Sequence, residues 1–305
     1  MATVKTMRIG CTWYPIPPEI GEQRWAEWTI MRMADLGCTA AQVRGVRNDP
    51  EQLKRIHDLC REKNVEIDCS AAGVFGLAGP EARESREKLL ESISIARQVG
   101  ARIIRTGYGR LNVATSRYSK EKPAARQMAY MVANLKEAAR IVEDHGVLLA
   151  IENHCDFTGR ELAEVFAAVG STSLGCALDT ANGYTVFCDP NDDVQALAPY
   201  TITTHMKDMR VVDVRESGFF GSGPLFPMLP VGCAVGDGNI DFPRAIKTLV
   251  EKSPHAEGLH LIVELGWYPV PEGQTGREVE LAQFHRSIDY LNQLLESCGL
   301  RQPGE

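Results

Sequence analysis

The sequence predicts an α/β fold, a (β/α)8 TIM barrel with a long loop after strand seven over the active-site mouth. Three observations predict it. Short apolar runs alternate with amphipathic helical stretches along the whole chain. Gly37, Gly100 and Gly146 each follow a helical stretch, where a C-terminal cap needs a residue tolerant of left-handed geometry. Four polar side chains, Glu152, Asp179, His205 and Glu264, stand where short apolar runs stop. Strict alternation implies parallel strands with right-handed crossovers. Eight strands favour a closed barrel over an open sheet. The first strand also lacks a Gly-x-Gly-x-x-Gly turn, and the chain has no Walker-type phosphate loop.

The elements follow in order. Strand one covers 7–11, and an amphipathic helix covers 23–36. Strand two covers 40–44, followed by a helix over 50–61. Strand three covers 65–70, and the next helix 80–99 places Leu89, Ile93, Ala96 and Val99 on one face. Strand four covers 102–105. The helix over 124–144 carries Met128, Met131, Leu135, Ala138 and Val142 in register. Strand five covers 147–151, helix five 161–169, strand six 174–178 and a short helix 194–197. Strand seven covers 201–204, helix seven 242–251, strand eight 260–263 and the closing helix 277–295. The rhythm breaks once, over 209–239. That stretch contains Phe219-Phe220-Gly221-Ser222-Gly223-Pro224 and is too apolar for a solvated linker, so it reads as a lid or interface element.

The chain has 305 residues, 44% hydrophobic, with a formal charge of −7. Barrels commonly occupy about 250 residues or more as one unit. One domain over 1–305 is therefore expected, its core at about 7–295. The acidic balance argues against a nucleic-acid partner. No run reaches the length of a membrane span, and the first residues lack the apolar stretch of a signal peptide. Nine cysteines without a Cys-x-x-Cys pair fit reduced thiols and a cytoplasmic location.

The four strand-end residues carry the chemistry. In an α/β barrel, side chains at the strand C-terminal ends converge on one mouth. The intervals from Glu152 to Asp179 and from Asp179 to His205 each match one βα unit, which places these residues on adjacent strands. Taken singly, each is explained by a helix cap or a salt bridge. Together, three carboxylates and a histidine form a mixed oxygen–nitrogen set suited to one divalent metal ion: Mn, Mg, Co or Zn. Without a cation, the carboxylates would be forced to protonate.

The same residues carry a resemblance. Ile151-Glu152-Asn153-His154, Leu178-Asp179-Thr180-Ala181-Asn182, Thr204-His205-Met206-Lys207-Asp208, Gly236-Asp237-Gly238-Asn239-Ile240-Asp241-Phe242 and Val263-Glu264-Leu265 resemble the signatures of the xylose isomerase-like sugar phosphate isomerase/epimerase superfamily. The resemblance spans roughly 7–295. It implies that Glu152, Asp179, His205 and Glu264 are the metal ligands. It also implies that Glu152 and Glu264 move protons on opposite faces of a sugar, through a metal-stabilised enediolate. The implied function is a divalent-metal-dependent sugar or keto-sugar isomerase or epimerase. By family analogy, the chain is expected to form a dimer or tetramer.

One departure keeps a second class open. The ketose 3-epimerases typically carry a histidine three positions after the strand-six aspartate, and this chain has Asn182 there. Asparagine binds a hydroxyl but carries no proton at neutral pH. His154 stands near as an acid, a base or a loop hydrogen-bonder. The alternative is a dehydratase or lyase of the inosose, dehydroshikimate or 3-keto-glycoside type, which expels a leaving group from the same enediolate. Endonucleases on this barrel need many more ligands than the two histidines, His154 and His205, that fall in these motifs.

Around the set, Lys207 faces the same side as His205 and either neutralises an enolate oxygen or forms a buried pair with an aspartate. Arg44 and Arg105 close strands two and four, and Arg210 opens the long loop. Their guanidinium groups suit an acidic or polyhydroxylated substrate. Trp13 follows strand one and is positioned to stack on a sugar. Trp25 and Trp28 read as core or interface.

Overall fold

The computed structural model describes residues 6–109, 116–154, 156–213 and 228–303. Eight parallel strands form one sheet in the order β1-β10-β7-β6-β5-β4-β3-β2. They are β1 (Met7–Cys11), β2 (Ala40–Gln42), β3 (Glu66–Ser70), β4 (Ile103–Gly107), β5 (Leu148–Glu152), β6 (Leu174–Asp179), β7 (Thr201–Met206) and β10 (Leu259–Val263). The helices between them are α1 (Trp25–Asp35), α2 (Pro50–Lys63), α3 (Ala82–Gln98), α4 (Ala124–His145), α5 (Gly159–Val169), α6 (Pro190–Leu197), α7 (Phe242–Lys252) and α8 (Gly276–Ser297).

Local chemistry sets the element ends. Asp49 caps α2 by accepting from the backbone N–H of Glu51, with Pro50 just inside. Thr158 and Glu161 form a capping box on α5, and Thr275 and Glu278 another on α8. The capping box moves the start of α5 upstream of the expected 161. Gly146 closes α4 at a φ of 67°, the left-handed cap that its sequence position implies.

The seam between β1 and β2 closes the barrel. The Thr39 N–H donates to the Ile9 carbonyl at 3.0 Å. A Cβ on Gly10 would lie 2.2 Å from the Ala40 carbonyl oxygen, so only glycine permits this approach. Gln302, from the tail beyond α8, inserts its amide here. Its Oε1 accepts from Ile9 N–H, Thr39 N–H and the Thr39 hydroxyl.

Two apolar layers result. The large one lies between sheet and helices, around Met7, Ile9, Ile30, Ile104, Leu149 and Leu261. A small one fills part of the barrel interior with Ile103, Ala150, Ala177 and Ile202. Beside it sits a buried polar group. His260 Nδ1 lies 2.8 Å from Asp68, whose other oxygen accepts from the Thr203 hydroxyl at 2.7 Å. His260 Nε2 lies 3.3 Å from Glu66, which Arg8 also pairs at 2.7 Å.

The expected irregular stretch after strand seven needs correction. Its described parts form an antiparallel hairpin, β8 (Asp208–Asp213) with β9 (Met228–Cys233). Residues 214–227, including Phe219 and Phe220, lie outside the described residues, and with them the middle of the expected lid. The hairpin is anchored by Asp208. Its buried carboxylate accepts from the N–H groups of Met209, Gly236, Gly238 and Ile240. No helix among the described residues is long and apolar enough to cross a membrane.

His260 makes stability depend on pH. Burial alone would lower its pKa, but Asp68 and then Glu66 raise it to about 9. The unfolded histidine titrates near 6.5. The stabilisation is therefore complete below about pH 6.5 and is lost as pH rises through about 9. Paired melts of wild type and His260→Gln should show the wild type losing ground between these values, by on the order of 3 kcal/mol at most. Parallel pH profiles would contradict this assignment.

Candidate metal centre

Glu152 and Asp179 end β5 and β6, His205 lies near the end of β7, and Glu264 follows β10. The barrel brings one ligand atom from each within 4.8 Å of the others. Ligand atoms around a cation at roughly 2.1 Å lie about 3–4 Å apart, so only slight closure is needed. All but Glu264 are buried.

The hydrogen bonding separates atoms that hold the set in place from atoms left facing its centre. His205 Nε2 lies 3.1 Å from Gln42 Oε1, which assigns the proton to Nε2. Nδ1 lies 2.6 Å from Glu264 and 3.5 Å from Glu152, so it carries the second proton while these carboxylates face it. On losing that proton it would present its lone pair to a cation. His205 Nδ1, Asp179 Oδ2 and Glu264 Oε2 are buried and make no hydrogen bond of proper geometry. Three buried ligand atoms that converge without a well-formed hydrogen bond fit a divalent cation.

Asp179 is the most constrained ligand. Its Oδ1 accepts from the N–H groups of Ala181 and Asn182 at 2.9 and 3.0 Å. Its backbone is clamped by the Asn153 amide, which donates to the Asp179 carbonyl and accepts from its N–H. The Thr180 hydroxyl ties the next turn to Lys207 at both N–H and carbonyl.

Two cations flank the carboxylates. Lys207 lies 2.6 Å from Asp179 and 3.3 Å from Glu264. The buried Lys–Asp pair of the sequence reading is thus real, and it sits in the set itself. Arg105 pairs with Glu152. Burial would raise the Glu152 pKa, but His205 and Arg105 together bring it down to about 2. Burial likewise acts upward on Glu264, where His205 and Lys207 prevail and hold it below the usual carboxylate range. At Asp179 burial wins over Lys207, and the pKa rises. Burial lowers His205, yet Glu264 and Glu152 raise it to about 9. With His205 charged, as its raised pKa implies near neutral pH, Lys207, Arg105 and His205 balance the three carboxylates. A cation taking Nδ1 would displace the histidine proton and leave the side chains with one net negative charge to set against the ion.

The other expected residues divide. Asn182 is central: it donates to Glu152 at 3.4 Å and accepts from Lys207 at 3.3 Å. His154 is half-buried near the mouth, because a Cβ on Gly107 would lie 3.6 Å from the His154 Cβ and 3.7 Å from that of Glu152. Arg44 lies two residues beyond β2. Its guanidinium stands 4.7 Å from the Trp13 ring and 5.2 Å from that of Trp25. Trp13 is 54% exposed and holds a left-handed φ of 56°, a strained state for an indole side chain. Trp28 packs against buried Tyr14. Arg210 is exposed on β8, and no contact joins it to the set. Sequence reasoning missed Gln42 and assigned no role to Asn153. A lone amide inside the apolar run Ala40-Ala41-Gln42-Val43 was the available signal for the first.

Fold and site together define a class: parallel α/β barrels whose strand ends gather four residues that could hold a metal ion. Residues 30–294 match the xylose isomerase-like TIM barrel family, and the chain belongs to it. Among curated proteins it is 24% identical to 3-oxo-isoapionate decarboxylase of Pectobacterium atrosepticum, over 83% of this chain and 80% of that protein. The fold matches a D-psicose 3-epimerase of Clostridium cellulolyticum H10, solved with D-tagatose, at a TM-score of 0.66. The identity is 11%, over 95% of this chain and 99% of the other. It also matches a xylose isomerase-like TIM barrel protein of Mycobacterium smegmatis in complex with magnesium. There the TM-score is 0.63 and the identity 15%, with 97% of each chain covered.

Gln42 makes the first test of the set. Gln42→Ala frees the His205 ring while leaving every ligand in place. Divalent metal affinity, measured by calorimetry, should fall about 10–100-fold with an unchanged circular dichroism spectrum. Asp179→Ala should abolish stoichiometric metal binding. Undiminished affinity in both would remove the metal assignment.

Proposed function

We propose that the protein is a divalent-metal-dependent isomerase or epimerase of a small sugar or keto-sugar, working through an enediolate. The observation that carries the reading is the convergence of Glu152, Asp179, His205 and Glu264, three of whose buried ligand atoms make no hydrogen bond of proper geometry. A divalent cation held there (Mn, Mg, Co or Zn) supplies Lewis acidity toward a carbonyl and its neighbouring hydroxyl. Asp179 and His205 hold position, fixed by Asn153 and Gln42. Glu152 and Glu264 come from different sides of the barrel and are the candidate proton carriers. Lys207, near Asp179 and Glu264, supplies positive charge where substrate oxygen becomes negative. Asn182 and Arg105 orient Glu152 and contact hydroxyls, and His154 donates or accepts from the rim. Trp13 and Arg44 form one wall of the mouth, with Arg210 further out.

A second reading is a lyase, and two observations favour it. Asn182 replaces the proton-carrying histidine of the ketose 3-epimerases. The curated relative bears the name of a decarboxylase. Decarboxylation generates the enolate without removing a carbon-bound proton, and β-elimination discharges it without returning one, so either route needs a single proton transfer at carbon in place of two.

Deuterium exchange separates the two. Metal-loaded protein is incubated in D2O with a panel of ketoses and keto-sugar acids. An isomerase or epimerase incorporates deuterium at the carbon beside the carbonyl of recovered sugar. A lyase releases carbon dioxide, water or an alcohol instead. Glu264→Gln should cut either turnover by about 100-fold or more. Full activity in that variant would exclude Glu264 as a proton carrier.

A further inference from the structure

Beside the mouth lies a cleft of about 620 Å³ that the metal set does not use. Its wall is aromatic. Phe75 meets Tyr108 edge-on at 4.9 Å, and Tyr108 lies 6.2 Å from Tyr130. Lys122, just before α4, and Arg126, in its first turn, stand on its rim with Glu121. Both cations are exposed, and neither has an ion-pair partner among the described residues.

The cleft is built, not incidental. Two buried amides on α4 fix its two flanks. Asn134 accepts from the N–H groups of Gly76 and Ala78, which pins the segment after β3 that carries Phe75. Gln127 donates to the carbonyls of Ser116 and Lys122, which pins the approach to α4. Asn134 is fully buried and Gln127 is 3% exposed. These bonds fix the backbone on both flanks of the cleft.

We propose that this cleft binds a planar aromatic carboxylate. Three rings present faces and edges for an aromatic ring to pack on. Two unpaired cations answer the negative charge. Neutral apolar ligands would leave Lys122 and Arg126 unused. The cleft adjoins the mouth through one residue. Tyr108 follows Gly107, which pairs with Glu152 across β4 and β5. A sugar bearing an aromatic acid would place its ring here and its reacting carbons at the metal set. This last point rests on the function proposed above; the cleft itself does not.

The probe is 4-nitrobenzoate, titrated calorimetrically into the full chain. Saturable binding is expected, weakened about tenfold or more by the Lys122→Gln/Arg126→Gln double substitution and by Tyr130→Ala. Cyclohexanecarboxylate, which lacks the ring, and 4-nitrobenzamide, which lacks the charge, should each bind more weakly. All three substituted residues are exposed, so circular dichroism should be unchanged. The same titration on Asp179→Ala separates the two sites: retained binding assigns the probe to the cleft. No saturable binding, equal binding by the variants, or loss in Asp179→Ala alone would each overturn the proposal.

Discussion

Three carboxylates meet at one end of a dry barrel, and most of the surrounding polar structure answers their repulsion. Burying like charges this closely raises pKa values and destabilises the fold unless positive charge is supplied. Here it comes from Lys207 on one side and Arg105 on the other. His205 adds a third positive charge through its raised pKa, and three ligand atoms are left without hydrogen bonds of proper geometry. A site balanced this way favours a divalent cation, and with the cation bound it favours an anionic reacting group.

Holding that arrangement requires a rigid frame outside it. Gln42 reaches His205 from β2, while Asn153 clamps the Asp179 backbone from the end of β5. Asp208 gathers four backbone N–H groups and fixes the hairpin root directly after Lys207. Deeper in the barrel, His260, Asp68 and Thr203 form a second polar layer tying β3, β7 and β10 together. Gln302 closes the β1–β2 seam from the far end of the chain. Each device spends a buried side chain on orientation and adds little apolar stabilisation. The apolar layer between sheet and helices supplies the stability that makes these uses tolerable.

The mouth is asymmetric. The ligands rise from β5, β6, β7 and β10, so acidic groups crowd one side. The opposite side carries Arg44 between Trp13 and Trp25, and the aromatic cleft of Phe75, Tyr108 and Tyr130. The acidic side thus faces a wall of aromatic rings bearing the cations Arg44, Lys122 and Arg126. Family membership fixes the barrel and leaves this wall free to vary, so selectivity is best sought there.

The sequence by itself determined the barrel, its element order and the four strand-end residues that the fold brings together. Period and position carry that information: apolar runs mark buried strands, and a polar residue at the end of such a run faces the mouth. It also marked Asn182 as a departure and Lys207 as a partner of an aspartate. Only the tertiary structure decided what crosses the barrel. Gln42 and His205 are joined across 163 positions, and Asp68 and His260 across 192. No local pattern encodes a pairing that exists only once the sheet closes. The hairpin β8–β9 was hidden for a related reason. Its register depends on Asp208 gathering N–H groups from Gly236, Gly238 and Ile240, a bond set that composition reads as an irregular loop.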